Sequence, residues 1–467
     1  MKIQIKILGI AALTFILSIA AFSQTVGDNG KTRPYENEAK EIMKRGLSEC
    51  QAYQMLDVLT STVGARLSGS PQAAQAVEWS KSTMEHLDFD NVHTEKVMVP
   101  HWVRGTTEIC EIVNSSASTP IPLKICTLGG SVGTPKEGIT AEVVEVESLA
   151  QVKMLGDDAK GKIIFFNRPF DKTKFNTFEM YGGSVDQRWG GAMAAARGGG
   201  VAALVRSMTS KLDDVPHTGA MGYNDTIPKV PTAALSTIAA NRLSEMLKKE
   251  GKVTVHLVLD SETLPDAESA NVMGELKGEE HPEEVVVIGG HLDSWDKGKG
   301  AHDDGAGCVQ SIEALRILKE LGLKPKRTIR AVTFMNEENG GRGGKAYAEK
   351  DRPGEKQIAA IESDAGGFTP RGFGVTADSI VFDKISKWAY LFEGMDAAGI
   401  KQGGGGSDIG PLGAKKVPLL GLRVDGQRYF DYHHSDSDTI DKVNERELEL
   451  GAIAMAIMSY VMAEEGL

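Results

Sequence analysis

The chain has 467 residues, 41% of them hydrophobic and 25% charged, with a formal net charge of −12. That length calls for more than one domain, and the hydrophobic share suits a packed globular core. The acidic balance excludes nucleic acid or an anionic membrane surface as the main partner, and four cysteines are too few for a disulfide scaffold.

The first stretch, MKIQIKILGIAALTFILSIAAFSQ, reads as a secretory signal over residues 1–23. Lys2 and Lys6 supply the positive region, the run from Ile7 to Ala21 the apolar core, and Ala21-Phe22-Ser23 a small-x-small cleavage site. The apolar run falls short of the roughly 18 to 20 residues needed to span a bilayer. The expectation is therefore a secreted or periplasmic protein, free of the membrane once the signal is cleaved, rather than one held by an uncleaved anchor. A polar segment follows, then helical patterns through EIMKRGLSECQAYQMLDVLTSTVG and AQAVEWSKSTMEHL, and strands in NVHTEKVMVPHWVRGTTEICEIV. Residues 24–126 form the first part of a large domain. Cys110 and Cys126 lie in short apolar runs on either side of NSSASTP, so they could face each other across a hairpin; export would permit a bridge, and the sequence leaves it open.

Around Gly129 the texture changes. ITAEVVEVES, GDDAKGKIIFFNRPF, GGAMAAARGGGVAALVRS, KVPTAALST and KVTVHLVLD read as strand, strand, helix with a further strand, strand and strand. The small-residue helix from Gly190 to Arg197 carries no catalytic cluster, and 127–258 is expected to be a smaller, β-rich inserted module. Residues 259–467 resume the large domain. VVVIGG reads as a strand, VQSIEALRILKEL as an amphipathic helix with Val309, Ile312, Leu315 and Leu318 on one face, and RTIRAVTFMN and IAAIES as strands. SKWAYLFEGMDAAGI reads as a helix, PLLGLRV as a strand and ELELGAIAMAIMSYVMAEE as a final helix. Apolar strands alternating with helices predict an α/β fold with a mainly parallel central sheet covered on both faces.

In such a sheet, sites form beyond the carboxyl ends of the strands. VVVIGG leads into His291, TIRAVTFMN into Glu337-Glu338, and IAAIES into Asp364. The glycine-rich loop GGHLDSWDKGKGAHDDGAGC adds Asp303 before a helix, and YFDYHHSDSDT adds His433 and His434. A single strand-end acid or histidine is ordinary; it is the shared edge that points to a metal. Imidazoles with carboxylates suit zinc or a similar first-row ion rather than calcium. Two histidines, two single acids and one shared acid would hold two ions about 3.5–4 Å apart with a bridging water, and a further carboxylate would act as general base. The neighbours Glu337 and Glu338 suit that division. Cys308, at a helix start, is expected to be buried and inert.

The segments HLDSW, AHDDGAG, NEENGG, ESDAGG and YHHSDSDT, in that order, resemble the dizinc exopeptidases of the zinc aminopeptidase/glutamate carboxypeptidase superfamily. RLSGSPQAAQAVEW, VMVPHWVRG, GGGGSDIGPL and DGQRYFDYHH are similar to its secreted branch, the plasma glutamate carboxypeptidases (carboxypeptidase Q). The resemblance runs from about Arg66 to the C-terminus and implies a protease-associated domain for the inserted module. It implies two zinc ions: His291 and Asp364 on one, Glu338 and His434 on the other, Asp303 bridging, with Glu337 as general base and acid. Asp293 would orient the His291 imidazole. His433 is the rival of His434, and Asp304 is expected to fix backbone rather than bind metal. His302 stands where the family pattern has an apolar residue or proline. The resemblance also offers Ser407 and Asp408 as substrate contacts, an acid there pairing with the amino group of a short peptide, and a homodimer.

The function expected is a metallo-exopeptidase acting on short peptides, dipeptides in particular. The alternatives are an aminopeptidase on longer peptides, a receptor-like binding protein of the same fold that has lost catalysis, and a single-zinc acyltransferase such as a glutaminyl cyclase. The complete ligand set speaks against the second, and the intact Asp303 with the Glu-Glu pair speaks against the third.

Overall fold

The computed structural model describes residues 33–113 and 119–467. The signal segment and most of the NSSASTP turn lie outside the described residues. Among the described residues the chain forms two eight-stranded sheets. It enters the larger sheet with β1 (Asp90–Val103). It then builds the smaller one from β2 (Glu108–Ile112), β3 (Ile121–Pro122), β4 (Ile125–Thr127), β5 (Ile139–Val146), β6 (Ile163–Phe166), β7 (Ala202–Arg206), β8 (Thr232–Leu235) and β9 (Thr254–Leu259). The larger sheet resumes with β10 (Glu262–Leu276), β11 (His281–His291), β12 (Arg327–Phe334) and β13 (Lys356–Glu362). It closes with β14 (Pro370–Thr376), β15 (Lys401–Gln402) and β16 (Leu419–Val424).

The larger sheet has the order β1-β10-β12-β11-β13-β16-β14-β15. Its four central strands, β12, β11, β13 and β16, are parallel. At the margins β1 with β10, β10 with β12, and β14 with β16 pair antiparallel, while the edge strand β15 pairs parallel with β14. The sheet is mainly parallel, as expected, and β10 and β14, which the apolar runs did not announce, flank its parallel centre with antiparallel pairing. The difference follows from burial. Val285 to Ile288 of β11 are buried on both faces, as a parallel strand between helices requires, whereas β1 alternates exposed and buried residues like a strand with one wet face.

The helix Ala306–Glu320 departs from its expected single apolar face. It is buried all round from Ala306 to Leu318, lying against β11, β12 and the C-terminal helix Glu445–Glu465. Burial of its polar side is tolerated because that side is paired. Glu313 and Arg316 form an ion pair at 2.6 Å, and Gln310 accepts from the Ser363 hydroxyl at 2.6 Å. SKWAYLFEGMDAAGI is also not one helix. The helix lies upstream at Ser379–Ser386, capped by Asp378, and Ala389–Met395 is a tighter helical turn ended by left-handed Asp396.

The smaller sheet takes strands from Glu108 to Leu259, so the boundary expected at 127 falls among its strands. Its helix Thr237–Glu250, capped by Ser236, escaped the sequence reading. All four cysteines are free, so the open question of a Cys110–Cys126 bridge is answered in the negative. Cys110 pairs with Leu257 and Cys126 with Ala234, and the two thiols lie in different apolar clusters. No helix among the described residues is long and apolar enough to cross a membrane.

Candidate metal centre

The carboxyl ends of the central strands deliver the side chains. His291 ends β11, Glu337 and Glu338 follow β12, and Asp364 follows β13. His291 Nε2 lies 3.3 Å from Asp303 Oδ1 and 3.5 Å from Asp364 Oδ1. On the other side of Asp303, Oδ2 lies 3.2 Å from His434 Nε2, and the same histidine nitrogen is 3.1 Å from Glu338 Oε2. Asp303 therefore stands between two histidine–carboxylate groups. His433 also approaches it, at 3.7 Å, with its ring stacked 3.5 Å from that of His434.

Backbone contacts hold these groups in place. Asp304 accepts the N–H of His291 at 3.1 Å and of Gly307 at 2.9 Å. That contact needs a glycine beneath it, since a Cβ on Gly290 would sit 2.3 Å from the Asp304 carboxylate. The Asp303–Asp304 peptide is cis. Asp438 accepts the N–H groups of His302 at 2.7 Å and Asp303 at 3.1 Å. Arg66 is fully buried and donates to the carbonyls of Leu292, Lys299 and Gly300, tying both ends of the glycine-rich loop together. Only its place in the RLSGSP motif marked it out.

Asp293 meets the His291 imidazole through its backbone carbonyl rather than its carboxylate. His291 Nδ1 lies 3.0 Å from the Asp293 backbone carbonyl, while the carboxylate is 3.9 Å away. The carboxylate instead accepts the N–H of Asn336 at 2.7 Å and of Glu337 at 3.0 Å, so it sets the turn that carries the Glu-Glu pair. Glu338 is pinned by the N–H of Trp295 at 3.2 Å, and Glu337 is only half-buried. His302 is no ligand. It stacks on Phe368 at 4.2 Å, and burial lowers its pKa to about 4. The Cys308 thiol donates to the His291 carbonyl, and burial raises its pKa well above the usual range.

The loop carrying Ser407 and Asp408 is not arranged as expected. Ser407 is exposed, and Asp408 is 1% exposed with both oxygens unpartnered. A cleft of about 800 Å³ opens beside Asp364; Gly403, Gly404 and Gly405 line it, and Ser407 and Asp408 do not. The chain dives inward after Gly406 because the Ile409 N–H donates to buried Glu362 at 2.9 Å, drawing Asp408 under the surface. Glu362 itself gave no sequence signal, since it sits inside the apolar run of β13.

The electrostatics call for a cation. Burial raises the Glu338 carboxyl to about 8, with Asp303 adding to the effect, and burial raises Asp364 to about 6. Burial opposes charge on His434, yet Glu338 and Asp303 outweigh it and raise the imidazole to about 10. Asp303 Oδ2 is buried without a hydrogen-bond donor. His291, Asp303 and Asp364 present ligand atoms within 4.8 Å of one another, and so do Asp303, His433 and His434. Imidazole and carboxylate donors crowded at these distances fit a pair of first-row divalent ions.

The profile of peptidase family M28 matches residues 271–460, the segment that contains every strand end described above. Carboxypeptidase Q from Rattus norvegicus is 37% identical over 434 residues, which covers 92% of this chain and 89% of the relative. The protein of that name from Bos taurus is 36% identical with the same coverage. This chain belongs to peptidase family M28. Among solved structures, a peptidase M28 precursor from Shewanella amazonensis superposes with a TM-score of 0.87 at 34% identity, covering 92% of this chain and 97% of that one. A zinc aminopeptidase from Bacillus subtilis shares the fold at a TM-score of 0.65 and 20% identity, covering 89% of this chain and 95% of that one.

Proposed function

We propose that this M28 peptidase is an exported metallo-exopeptidase that hydrolyses short peptides, dipeptides above all, with two zinc ions per chain. The observation that carries the reading is the position of Asp303, 3.3 Å from His291 on one side and 3.2 Å from His434 on the other. The names of the relatives at 36–37% identity support the exopeptidase class, and the zinc aminopeptidase of similar fold supports the metal. Export rests on the signal-like segment at residues 1–23, and the smaller sheet is read as a protease-associated domain.

In this reading His291 and Asp364 would hold one ion and Glu338 and His434 the other, with Asp303 available to both. When bound, the ions lower the pKa of a water and polarise the substrate carbonyl. Glu337 accepts the proton of the attacking water and returns it to the leaving amine. It is free for this because Asp293 fixes its backbone while its side chain stays only half-buried. A dipeptide library incubated with the mature protein tests the reading. Hydrolysis should be abolished by a chelator and restored by zinc. Absence of hydrolysis in the zinc-loaded protein, or activity indifferent to the chelator, rejects it.

A further inference from the structure

The chain leaves β12 at Phe334 and reaches the helix Arg342–Glu349 by a short loop that carries both Glu337 and Glu338. A loop keeps one shape only where its backbone groups find partners. Asn271 of β10 closes the base of this one, its Oδ1 accepting the Met335 N–H at 2.9 Å and its Nδ2 donating to the Gly343 carbonyl at 3.0 Å. The two glutamates beyond that base are provided for unequally. Glu338 Oε1 accepts the Trp295 N–H at 3.2 Å, whereas the Glu337 carboxylate has neither a hydrogen-bond donor nor an ion-pair partner among the described residues. The direction of Glu337 therefore depends on the backbone from which it departs.

That backbone turns on Asn336. The residue is fully buried, and its φ of 72 lies in the left-handed region, which asparagine enters more readily than most other non-glycine residues. The turn brings two successive N–H groups, those of Asn336 and Glu337, onto one Asp293 oxygen at 2.7 and 3.0 Å. The Asn336 side chain then locks it. Its Oδ1 accepts the Arg342 N–H at 3.3 Å, and its Nδ2 donates to the Ser68 hydroxyl at 2.8 Å and to Asn339 Oδ1. Ser68, buried in the distant RLSGSP segment, closes the ring by donating to Asn339 Oδ1 at 2.7 Å. A side chain at Gly340 would break it, since a Cβ there would lie 2.3 Å from Asn336 Oδ1.

We infer that Asn336, tethered by Ser68, is the positioning residue of the general base: it fixes the left-handed turn from which Glu337 departs and so aims that carboxylate at the water it deprotonates. The inference rests on the role given to Glu337 in the peptidase reading above. A left-handed asparagine held by this many contacts costs energy that a loop with no task need not spend, and such conformations gather at functional sites. Asn336 acts through its neighbour and not on the substrate. Removing its side chain leaves Asn271 at the base of the loop and Trp295 on Glu338, so the aim of Glu337 is what changes. A small misplacement of a reacting group lowers turnover steeply while leaving substrate binding nearly untouched.

The test uses the zinc-loaded mature protein and a dipeptide that it cleaves, with kcat, KM and zinc content measured for each variant. Asn336→Gly keeps the left-handed backbone accessible and removes every side-chain bond, so kcat should fall about 10- to 100-fold with KM within about twofold and zinc content unchanged. Ser68→Ala, the milder variant, should lower kcat about 2- to 10-fold in the same pattern. Asn336→Asp should recover most of the loss, because the Ser68 hydroxyl and the Asn339 amide can turn to donate to it. In a Glu337→Gln background, Asn336→Gly should change the residual kcat by less than about twofold, since groups that act as one unit are not additive. Full kcat in both Asn336→Gly and Ser68→Ala, zinc loss that matches the lost turnover, or an undiminished effect in the Glu337→Gln background each overturns the inference and leaves the peptidase reading standing. A zinc-loaded wild type that hydrolyses no dipeptide overturns that reading, and the positioning role with it.

Discussion

The two halves of the candidate centre are held by different means. His291, Glu338 and Asp364 project from ends of adjacent strands, so the central sheet fixes them. His434 instead sits in a loop, in the left-handed conformation at φ 60, and a segment of the smaller domain straps it down. Thr218 N–H donates to the His434 carbonyl at 2.8 Å, His217 Nδ1 meets the His433 carbonyl at 2.7 Å, and His434 Nδ1 lies 3.4 Å from both the Thr218 carbonyl and Arg188. The sheet-borne half is rigid by construction, whereas the loop-borne half depends on the correct seating of a second domain. The smaller domain is therefore part of the wall of the centre, not an appendage to it.

The largest effect should come from the sheet-borne half. Glu337→Gln removes the proposed base while leaving every candidate ligand, so turnover should fall by about 10²- to 10⁴-fold with metal content unchanged. Elemental analysis beside steady-state kinetics checks this, and near-normal turnover at full metal loading would sink the role given to Glu337.

A smaller effect is expected where the loop-borne half meets the smaller domain. Gly219 has φ 135, and a Cβ there would lie 2.2 Å from Arg188 and 2.7 Å from His434 Nδ1. Gly219→Ala should displace one of those side chains and weaken metal retention by about 10- to 100-fold, the scale seen when a partner behind a metal-bound histidine is lost. Competition with a chromogenic chelator reads this directly. If the variant holds its metal as tightly as the wild type, the two halves do not differ in the way described.

This contrast also explains how much could be read from the chain. The sheet-borne residues were legible because each follows an apolar run, and a run of that kind fixes where a strand ends. The strap was not, because its contacts to His433 and His434 span more than 200 positions: one runs through the His217 imidazole, which no neighbouring motif marks, and the others through the backbone of Thr218, which has no side-chain signature. The fold was legible at its parallel centre for the same reason. It was obscure at β10, whose first half, ETLPDAES, is mostly exposed and shows no apolar pattern, and at Asp408, whose burial depends on one hydrogen bond to Glu362.

The smallest effect belongs to a region remote from both halves, and it separates stability from metal binding. Glu95 of β1 is 6% exposed, 2.6 Å from Arg352 and 3.1 Å from Lys350. Burial opposes its charge, but His93, Arg352 and Lys350 outweigh that and lower the carboxyl to about 2 from its ordinary 4.5. A depressed carboxyl stabilises the fold fully above its unfolded value and loses that contribution as pH falls through the folded one, so the window here is pH 4.5 down to about 2. Glu95→Gln should therefore lower stability at pH 7 by roughly 1–3 kcal/mol, with the gap to wild type closing across that window. Denaturant melts at several pH values measure it, and metal retention at pH 7 should stay at the wild-type level because no candidate ligand touches Glu95. A Glu95→Gln protein that lost metal in step with Gly219→Ala would show that strain anywhere in the chain loosens the centre, and the special dependence of His434 on the smaller domain would go with it.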